Sequence, residues 1–375
     1  MKIARFYSNL DKHLKPNKVL VIYGPRQVGK TTLLNDYLRS TRYKYRLDSG
    51  ENIRIQELLS SPDFNRISDY ASGYELIAID EAQKIPNIGS ILKIMVDHLP
   101  GIRIIATGSS SFELSGQIGE PLTGRKRMLL LFPIAQLELK EHFNPFDLKN
   151  LLPDFLIYGS YPEVVATENK KEKIEILSEI SGSYLMKDLL ELNGIKSSQK
   201  LIMILRLLAF QIGSEVSLNE IAQKVGLDYK TVGRYIDLLE KTFILYRLSG
   251  YSRNLRNEMT KKQKYFFYDT GIRNALIANF NPIELRNDVG QLWENFLFIE
   301  RLKKQSYTGI YSNNYFWRTW SQDEIDFIEE REGNLYAYEF KWAAKTTKPP
   351  RLWQKTYPDS SFQVITPENY LDFIA

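Results

Sequence analysis

Residues Lys18 to Leu34 read KVLVIYGPRQVGKTTLL, and the fold is decided by how this stretch divides. Val19–Tyr23 is an apolar run of strand length, Gly24 to Gly29 a loop with glycine at both ends, and Thr31 begins a helical pattern that reaches Arg39. Gly24, Gly29, Lys30 and Thr31 fill every defined position of G-x-x-x-x-G-K-[ST]. Glycines let backbone N–H groups wrap phosphate oxygens, and the helix N-terminus behind them favours negative charge. The loop of Gly24, Pro25, Arg26, Gln27, Val28, Gly29, Lys30, Thr31 and Thr32 is therefore expected to cradle the phosphates of ATP. Lys30 would reach the β- and γ-phosphates, and the Thr31 hydroxyl would ligate Mg²⁺.

A second stretch supplies the acid that such a loop needs. Glu75-Leu76-Ile77-Ala78-Ile79-Asp80-Glu81 is a hydrophobic strand ending in two carboxylates, the Walker B pattern. Asp80 is expected to hold Mg²⁺, directly or through water, and Glu81 to orient or deprotonate the attacking water. A third strand, Arg103–Thr107, runs into Gly108-Ser109-Ser110-Ser111, a turn that would sense the γ-phosphate or, equally, cap the next helix. With Tyr43–Leu47 and Met128–Phe132, these strands alternate with helical patterns such as Thr31–Arg39 and Ile88–His98. That alternation predicts a parallel sheet covered by helices.

The P-loop, Asp80-Glu81 and Thr107–Ser111, followed by Leu122-Thr123-Gly124-Arg125 and Phe132-Pro133-Ile134, resemble a prokaryotic AAA+ ATPase family of archaeal-ATPase type. The resemblance covers essentially the whole chain. It implies ATP and Mg²⁺ as cofactors, and a C-terminal domain of unknown function that looks like the PD-(D/E)xK nucleases. It also makes Arg125 a candidate trans-acting finger or sensor at the nucleotide, and the former role would imply a homo-oligomer. Arg125-Lys126-Arg127 reads equally well as a solvated basic run.

With 375 residues the chain is long enough for two or three domains. Its 43% hydrophobic and 25% charged residues place it among soluble globular proteins and away from disordered or fibrous ones. The absence of cysteine excludes disulfides, thiolate zinc sites and cysteine nucleophiles, and fits a reducing cytoplasm. No apolar run reaches about 18 residues, and Met1–Leu10 has no signal-peptide core, so a cytoplasmic location without a membrane partner is expected.

The expected organisation is an α/β P-loop AAA+ parallel-sheet domain over 1–146, then a helical segment over 147–196. A winged helix-turn-helix over 197–252 and a C-terminal α/β PD-(D/E)xK nuclease-like domain over 253–375 complete it. In the winged segment, Lys224–Asp228 turns between two helical patterns. The second helix would show Tyr229, Lys230, Arg234 and Tyr235 to a DNA groove, or serve only as packing, and Phe243–Leu248 would form the wing.

In the tail, Asp326 lies on a strand-like run and Glu339 on the next, close enough for a hairpin. Glu339 and Lys341 are two apart and so share a strand face. Two carboxylates, Asp326 and Glu339, would hold Mg²⁺ at a scissile phosphate while Lys341 orients a hydroxide. This is the D…E-x-K arrangement of PD-(D/E)xK enzymes, and related folds add one acid from a helix, a role that Glu294 fits. A cross-strand Glu–Lys pair is the plainer reading of the same residues.

Basic residues surround this tail: Arg253, Arg256, Lys261, Lys262 and Lys264, then Lys345, Lys348, Arg351 and Lys355, with Trp317, Trp320, Trp342 and Trp353 among them. Such a mixture suits sequence-tolerant nucleic-acid binding, with DNA as the expected partner; solvated loops would read the same way. The functional expectation is an ATP-hydrolysing protein with a nuclease-like end acting on or binding DNA. Its alternative is a nucleotide-controlled binding or regulatory switch whose nuclease-like domain does not cut. A transcription regulator is less favoured, because it has no use for the E-x-K constellation.

Overall fold

The computed structural model describes residues 3–109, 121–184, 197–252, 263–319, 321–343 and 347–375. The chain divides into two compact units, Ala4–Pro133 with Lys241–Phe243, and Ile134–Glu240 with Ile244–Ala375.

The first unit runs β1 (Lys18–Tyr23), α1 (Lys30–Ser40), β2 (Tyr45–Ser49), α2 (Ile53–Leu58), α3 (Phe64–Ala71), β3 (Leu76–Asp80), α4 (Ile88–His98), β4 (Arg103–Gly108) and β5 (Lys126–Leu130). Its strands form one parallel sheet in the order β2-β3-β4-β1-β5, as the β-α alternation predicts. Both faces of such a sheet are covered, so its central strands must be apolar on both sides. Val19, Val21, Ile77, Ile79, Ile104 and Ala106 share one core with Ile67 of α3 and Ile91 and Met95 of α4. The intervening Leu20, Ile22, Ala78 and Ile105 are equally buried. Because all five strands point the same way, Tyr23, Asp80 and Thr107 finish at one edge. Open parallel sheets bind ligands at such an edge, where consecutive crossovers part to either side of a strand.

The second unit carries α5 (Pro145–Tyr158), α6 (Lys170–Glu179), α7 (Ser198–Phe210), β6 (Glu215–Val216), α8 (Leu218–Val225), α9 (Tyr229–Lys241), β7 (Leu245–Gly250), β8 (Gln263–Phe267), α10 (Thr270–Leu276) and α11 (Val289–Thr308). It ends with β9 (Asn313–Arg318), β10 (Glu324–Arg331), β11 (Asn334–Phe340), β12 (Ser361–Ile365) and α12 (Tyr370–Ile374). Its seven strands form a mixed sheet in the order β12-β11-β10-β9-β7-β8-β6. Strands from the expected winged segment and from the expected tail thus share one sheet.

Two details of that unit depart from the sequence reading. β7 is paired on both sides, antiparallel to β8 and parallel to β9, so it is an interior strand and not a projecting wing. On α9, Tyr229, Lys230 and Arg234 are exposed as expected, but Tyr235 is buried. It lies in the apolar stripe of Val232, Ile236 and Leu239, which the helical period directs inward.

The tryptophans differ as well. Trp317 and Trp353 meet edge to face at 5.3 Å in a core with Ile325, Ile328 and Tyr357, so neither offers a surface for stacking a base. Among the described residues no helix is long and apolar enough to cross a membrane.

Candidate functional site

The phosphate loop lies between β1 and α1. Gly24 has φ +147°, and a Cβ there would stand 2.2 Å from the Leu131 carbonyl oxygen, so only glycine fits. Lys30 is almost fully buried, and its Nζ donates to the carbonyl oxygens of Pro25 at 2.6 Å and Gly24 at 3.1 Å. The loop thus folds around its own ammonium. Arg5 ties the far side, donating from Nη2 to Phe132 O at 2.6 Å and from Nη1 to Val28 O.

Asp80, at the end of β3, meets the loop. The Thr31 hydroxyl donates to Asp80 Oδ2 at 2.9 Å, so the two groups expected at Mg²⁺ converge on one point. Two hard oxygens of this kind, completed by water and phosphate oxygens, suit Mg²⁺. The other Asp80 oxygen accepts from the Thr107 hydroxyl, and that hydroxyl in turn accepts from the Glu81 backbone N–H at 3.1 Å.

Glu81 itself has φ +49°, a backbone conformation that costs a non-glycine residue on the order of 1 kcal/mol or more and tends to occur at functional sites. The turn is closed by Gly50, where a Cβ would stand 2.2 Å from the Glu81 carbonyl oxygen. Gln83 Nε2 donates to Glu81 Oε2 at 2.5 Å and to Ser109 Oγ at 3.3 Å, which aims the carboxylate. The arrangement can bind a phosphate chain, hold a divalent ion and present a positioned carboxylate to water.

Sequence reasoning missed Arg5, Gly50 and Gln83, which lie outside the motifs. It singled out Thr107 and Ser109 only as part of a hydroxyl-rich turn. Ser110 and Ser111 lie outside the described residues.

Arg125 is not brought to this loop in its own chain. β5 runs parallel to β1 with Lys126 beside Val19 and Leu130 beside Tyr23, which puts Arg125 at the opposite end of the sheet. There its Nε donates to Asp97 Oδ1 at 2.5 Å.

The second unit gathers the expected tail residues into one cluster. The β9–β10 register shifts between Ile325 and Ile328, and Asp326 sits in that irregularity, where a bulge re-aims a side chain. Asp326 Oδ2 accepts from the Phe340 N–H at 2.8 Å, and Lys341 Nζ donates to Glu339 Oε1 at 2.5 Å. The other Glu339 oxygen is buried without a hydrogen-bond partner. Asp326 and Glu339 are both pushed above the ordinary carboxylate range, first by burial; the charge of Asp326 adds to the shift of Glu339.

Glu294 approaches from α11. Its carboxyl is raised to about 8 by burial, against the pull of Lys264 and with a further push from Asp326.

Lys264 and Glu324 were not anticipated in this role. Lys264, read from sequence as part of a basic surface cluster, is 1% exposed, and its Nζ lies 2.9 Å from Glu294 Oε1 and 2.6 Å from Glu324 Oε1. Burial works against its charge, yet Glu294, Glu324 and Asp326 hold it above the usual lysine range. The inward side of β8 is specified only by partners 30 and 60 residues further along, so no local pattern reveals it.

Among the described residues no three acidic or imidazole groups converge as a ready metal set. Asp326 and Glu339, with one open oxygen, are nonetheless enough for Mg²⁺, which usually takes one or two carboxylates and completes its shell with water and phosphate. Lys348, Arg351 and Lys355 are exposed. Arg253, Arg256, Lys261, Lys262, Trp320 and Lys345 lie outside the described residues.

Comparison with known proteins divides the chain into three matched stretches. Residues 16–140 match the family model described as an AAA domain. Residues 149–283 match a domain of unknown function, DUF8612, and residues 289–365 another, DUF4143. The carboxylate cluster draws Lys264 from the former span and its other members from the latter.

An uncharacterized protein of Mycobacterium tuberculosis is 26% identical over 89% of this chain and 72% of its own length. One from Haemophilus influenzae is 29% identical over 76% of this chain and 74% of its own. A solved Walker-type ATPase of Pyrococcus abyssi is 16% identical, covers 69% of this chain and 91% of its own, and superposes with a TM-score of 0.45. Three successive stretches thus match known domains, an AAA domain, DUF8612 and DUF4143, and the AAA match supports the general activity of an ATP-binding ATPase.

Proposed function

We propose that this AAA protein hydrolyses ATP at the Gly24–Thr31 loop and that its second unit is a nuclease-like module acting on DNA. Lys30 would leave the loop carbonyls for the β- and γ-phosphates, since a full negative charge is a stronger partner than a carbonyl dipole. Thr31 and Asp80 would hold the ion, and Glu81, steadied by Gln83, would take the proton of the attacking water. Mg²⁺, when bound, would draw charge from the phosphates.

The observation that carries the second half is the meeting of Asp326, Glu339 and Lys341 with Glu294 in one half-buried cluster. Asp326 and Glu339 would hold Mg²⁺ there, and Lys341 would orient a hydroxide or neutralise a phosphodiester oxygen.

A second reading, a nucleotide-controlled switch that binds DNA without cutting it, is favoured by Lys264. Its ammonium already offsets Glu324 and donates to the Glu294 carboxyl, which lessens the need for an external ion. Incubating the full chain with single- and double-stranded DNA, Mg²⁺ or Mn²⁺, with and without ATP, separates the two. Cleavage that Asp326→Ala removes while ATP turnover persists supports the first. Binding that ATP modulates without any cleavage supports the switch. If DNA is neither bound nor cut, the DNA reading of the second unit is lost.

A further inference from the structure

The edge of the parallel sheet opposite the phosphate loop carries a feature that ATP chemistry does not use. At the start of β1 and β5 a cavity of about 200 Å³ is lined by His13, Lys15, Lys18, Lys126 and Arg127, together with the apolar Val19 and Leu20. No carboxylate lines it. Lys15, Lys18 and Arg127 are exposed, and none of the three pairs with a carboxylate among the described residues. Arg127 makes one long bond, from Nη1 to Lys12 O at 3.5 Å.

The nearby acids are engaged elsewhere. Asp11 Oδ1 accepts from the Tyr37 hydroxyl at 2.6 Å, and Asp97 Oδ1 accepts from Arg125 at 2.5 Å. His13 Nδ1 is buried without a hydrogen-bond partner, and burial, then the charges of Arg127 and Lys12, keep the ring below the ordinary histidine range.

Uncompensated positive charge concentrated in a concavity attracts an anion, because the walls limit screening and focus the field. The fixed charge here exceeds what one phosphate neutralises. Lys15 and Lys18 at the start of β1, with the Arg127 fork on the adjacent β5, are suited to successive phosphates along a strand.

We propose that this cavity binds the phosphate backbone of a nucleic-acid strand, at a site separate from both the phosphate loop and the carboxylate cluster. β1 is six residues long, so the cavity lies roughly 15–20 Å from the loop. This site does not rest on the nuclease-like reading of the second unit.

The test measures binding of a short, fluorescently labelled single-stranded oligonucleotide to the full chain across a range of salt concentrations. Neutralising Lys15, Lys18 and Arg127 together (Lys15→Gln, Lys18→Gln, Arg127→Gln) is expected to weaken binding by more than about tenfold near 0.1 M salt. The slope of log affinity against log salt should shrink by about 2, since each phosphate contact on a single strand contributes about 0.7. Basal ATP turnover without DNA should be unchanged, which verifies the fold because these side chains are exposed. Unchanged affinity and slope in the triple variant overturn the site.

A second readout uses the three histidines of the chain, His13, His98 and His142. With ¹³C-labelled histidine, the oligonucleotide should move the His13 resonance and leave the other two in place. If His13 stays still under saturating oligonucleotide, the site is wrong. If pyrophosphate moves it at a concentration equal to or below that of the oligonucleotide, the ligand is a small phosphorylated molecule and the nucleic-acid assignment falls. Neither failure bears on ATP hydrolysis or on DNA cleavage by the second unit.

Discussion

At the phosphate loop the buried Lys30 rests on two backbone carbonyls, whereas in the second unit the buried Lys264 rests on the Glu324 carboxylate and on the Glu294 carboxyl, whose proton burial holds up to about pH 8. Carbonyl dipoles hold an ammonium loosely enough to surrender it to a phosphate. A carboxylate does not, since separating it from the buried ammonium leaves that charge uncompensated. The loop is therefore organised to receive an anion and a divalent ion. The cluster carries part of its own counter-charge, leaving Glu339 Oε2 as its open acceptor.

The comparison breaks first if the loop does not depend on its positioned carboxylate. Glu81→Gln should still bind ATP, because Lys30, Thr31 and Asp80 are untouched, yet turn over about 10²- to 10⁴-fold more slowly. Steady-state turnover together with binding of a fluorescent ATP analogue checks both halves. Undiminished turnover would move the water-activating role away from Glu81, for instance to the serines after β4.

Lys264→Met sharpens the other half. It removes the cation beside Glu324 and the donor to the Glu294 carboxyl, and stranding a partly buried carboxylate in this way costs on the order of 1–3 kcal/mol. The denaturant midpoint should fall accordingly. Mn²⁺ should then restore more stability to the variant than it adds to the natural chain, because an external cation now has a vacancy to fill. If the midpoint does not move, Lys264 is no counter-ion and the contrast between the two sites dissolves.

How much of this was legible follows from where each partner lies in the chain. The loop, Asp80 and Glu81 were readable because each sits in a contiguous pattern whose period and glycines encode its own geometry. β1 and β3 begin within one residue of their apolar runs. Asp326, Glu339 and Lys341 were readable because a hairpin brings them together over a short span.

What lies between the motifs was not. Arg5 braces the loop from 23 residues away, and Lys264 looked like one more solvated cation before a basic loop. Its burial depends on Glu294 and Glu324, which join it only through tertiary packing. Tyr235 is a different case. The stripe of Val232, Ile236 and Leu239 already pointed its neighbour inward, and reading the tyrosine as a groove contact set the period aside.

The smallest effect concerns Glu294, whose carboxyl rises from the ordinary 4.5 to about 8 through burial, against the pull of Lys264 and with a further push from Asp326. The folded state thus holds this proton more tightly than the unfolded chain does. Stability from that difference is fully present below about 4.5 and is lost as pH rises through about 8. Glutamine keeps the shape and an oxygen for Lys264 but has no proton to lose. The stability of the natural chain relative to Glu294→Gln should therefore fall between pH 5 and 7, by on the order of 2 kcal/mol. Chemical denaturation of both proteins across that range measures the difference and cancels the titration of groups they share. Lys264 stays charged throughout and keeps Glu324 as a partner at 2.6 Å, so the cluster survives the loss of one carboxylate. A difference that is flat with pH would mean that Glu294 is already ionised at pH 5. The cluster would then hold more negative charge than Lys264 offsets, and an external cation would become part of its resting state.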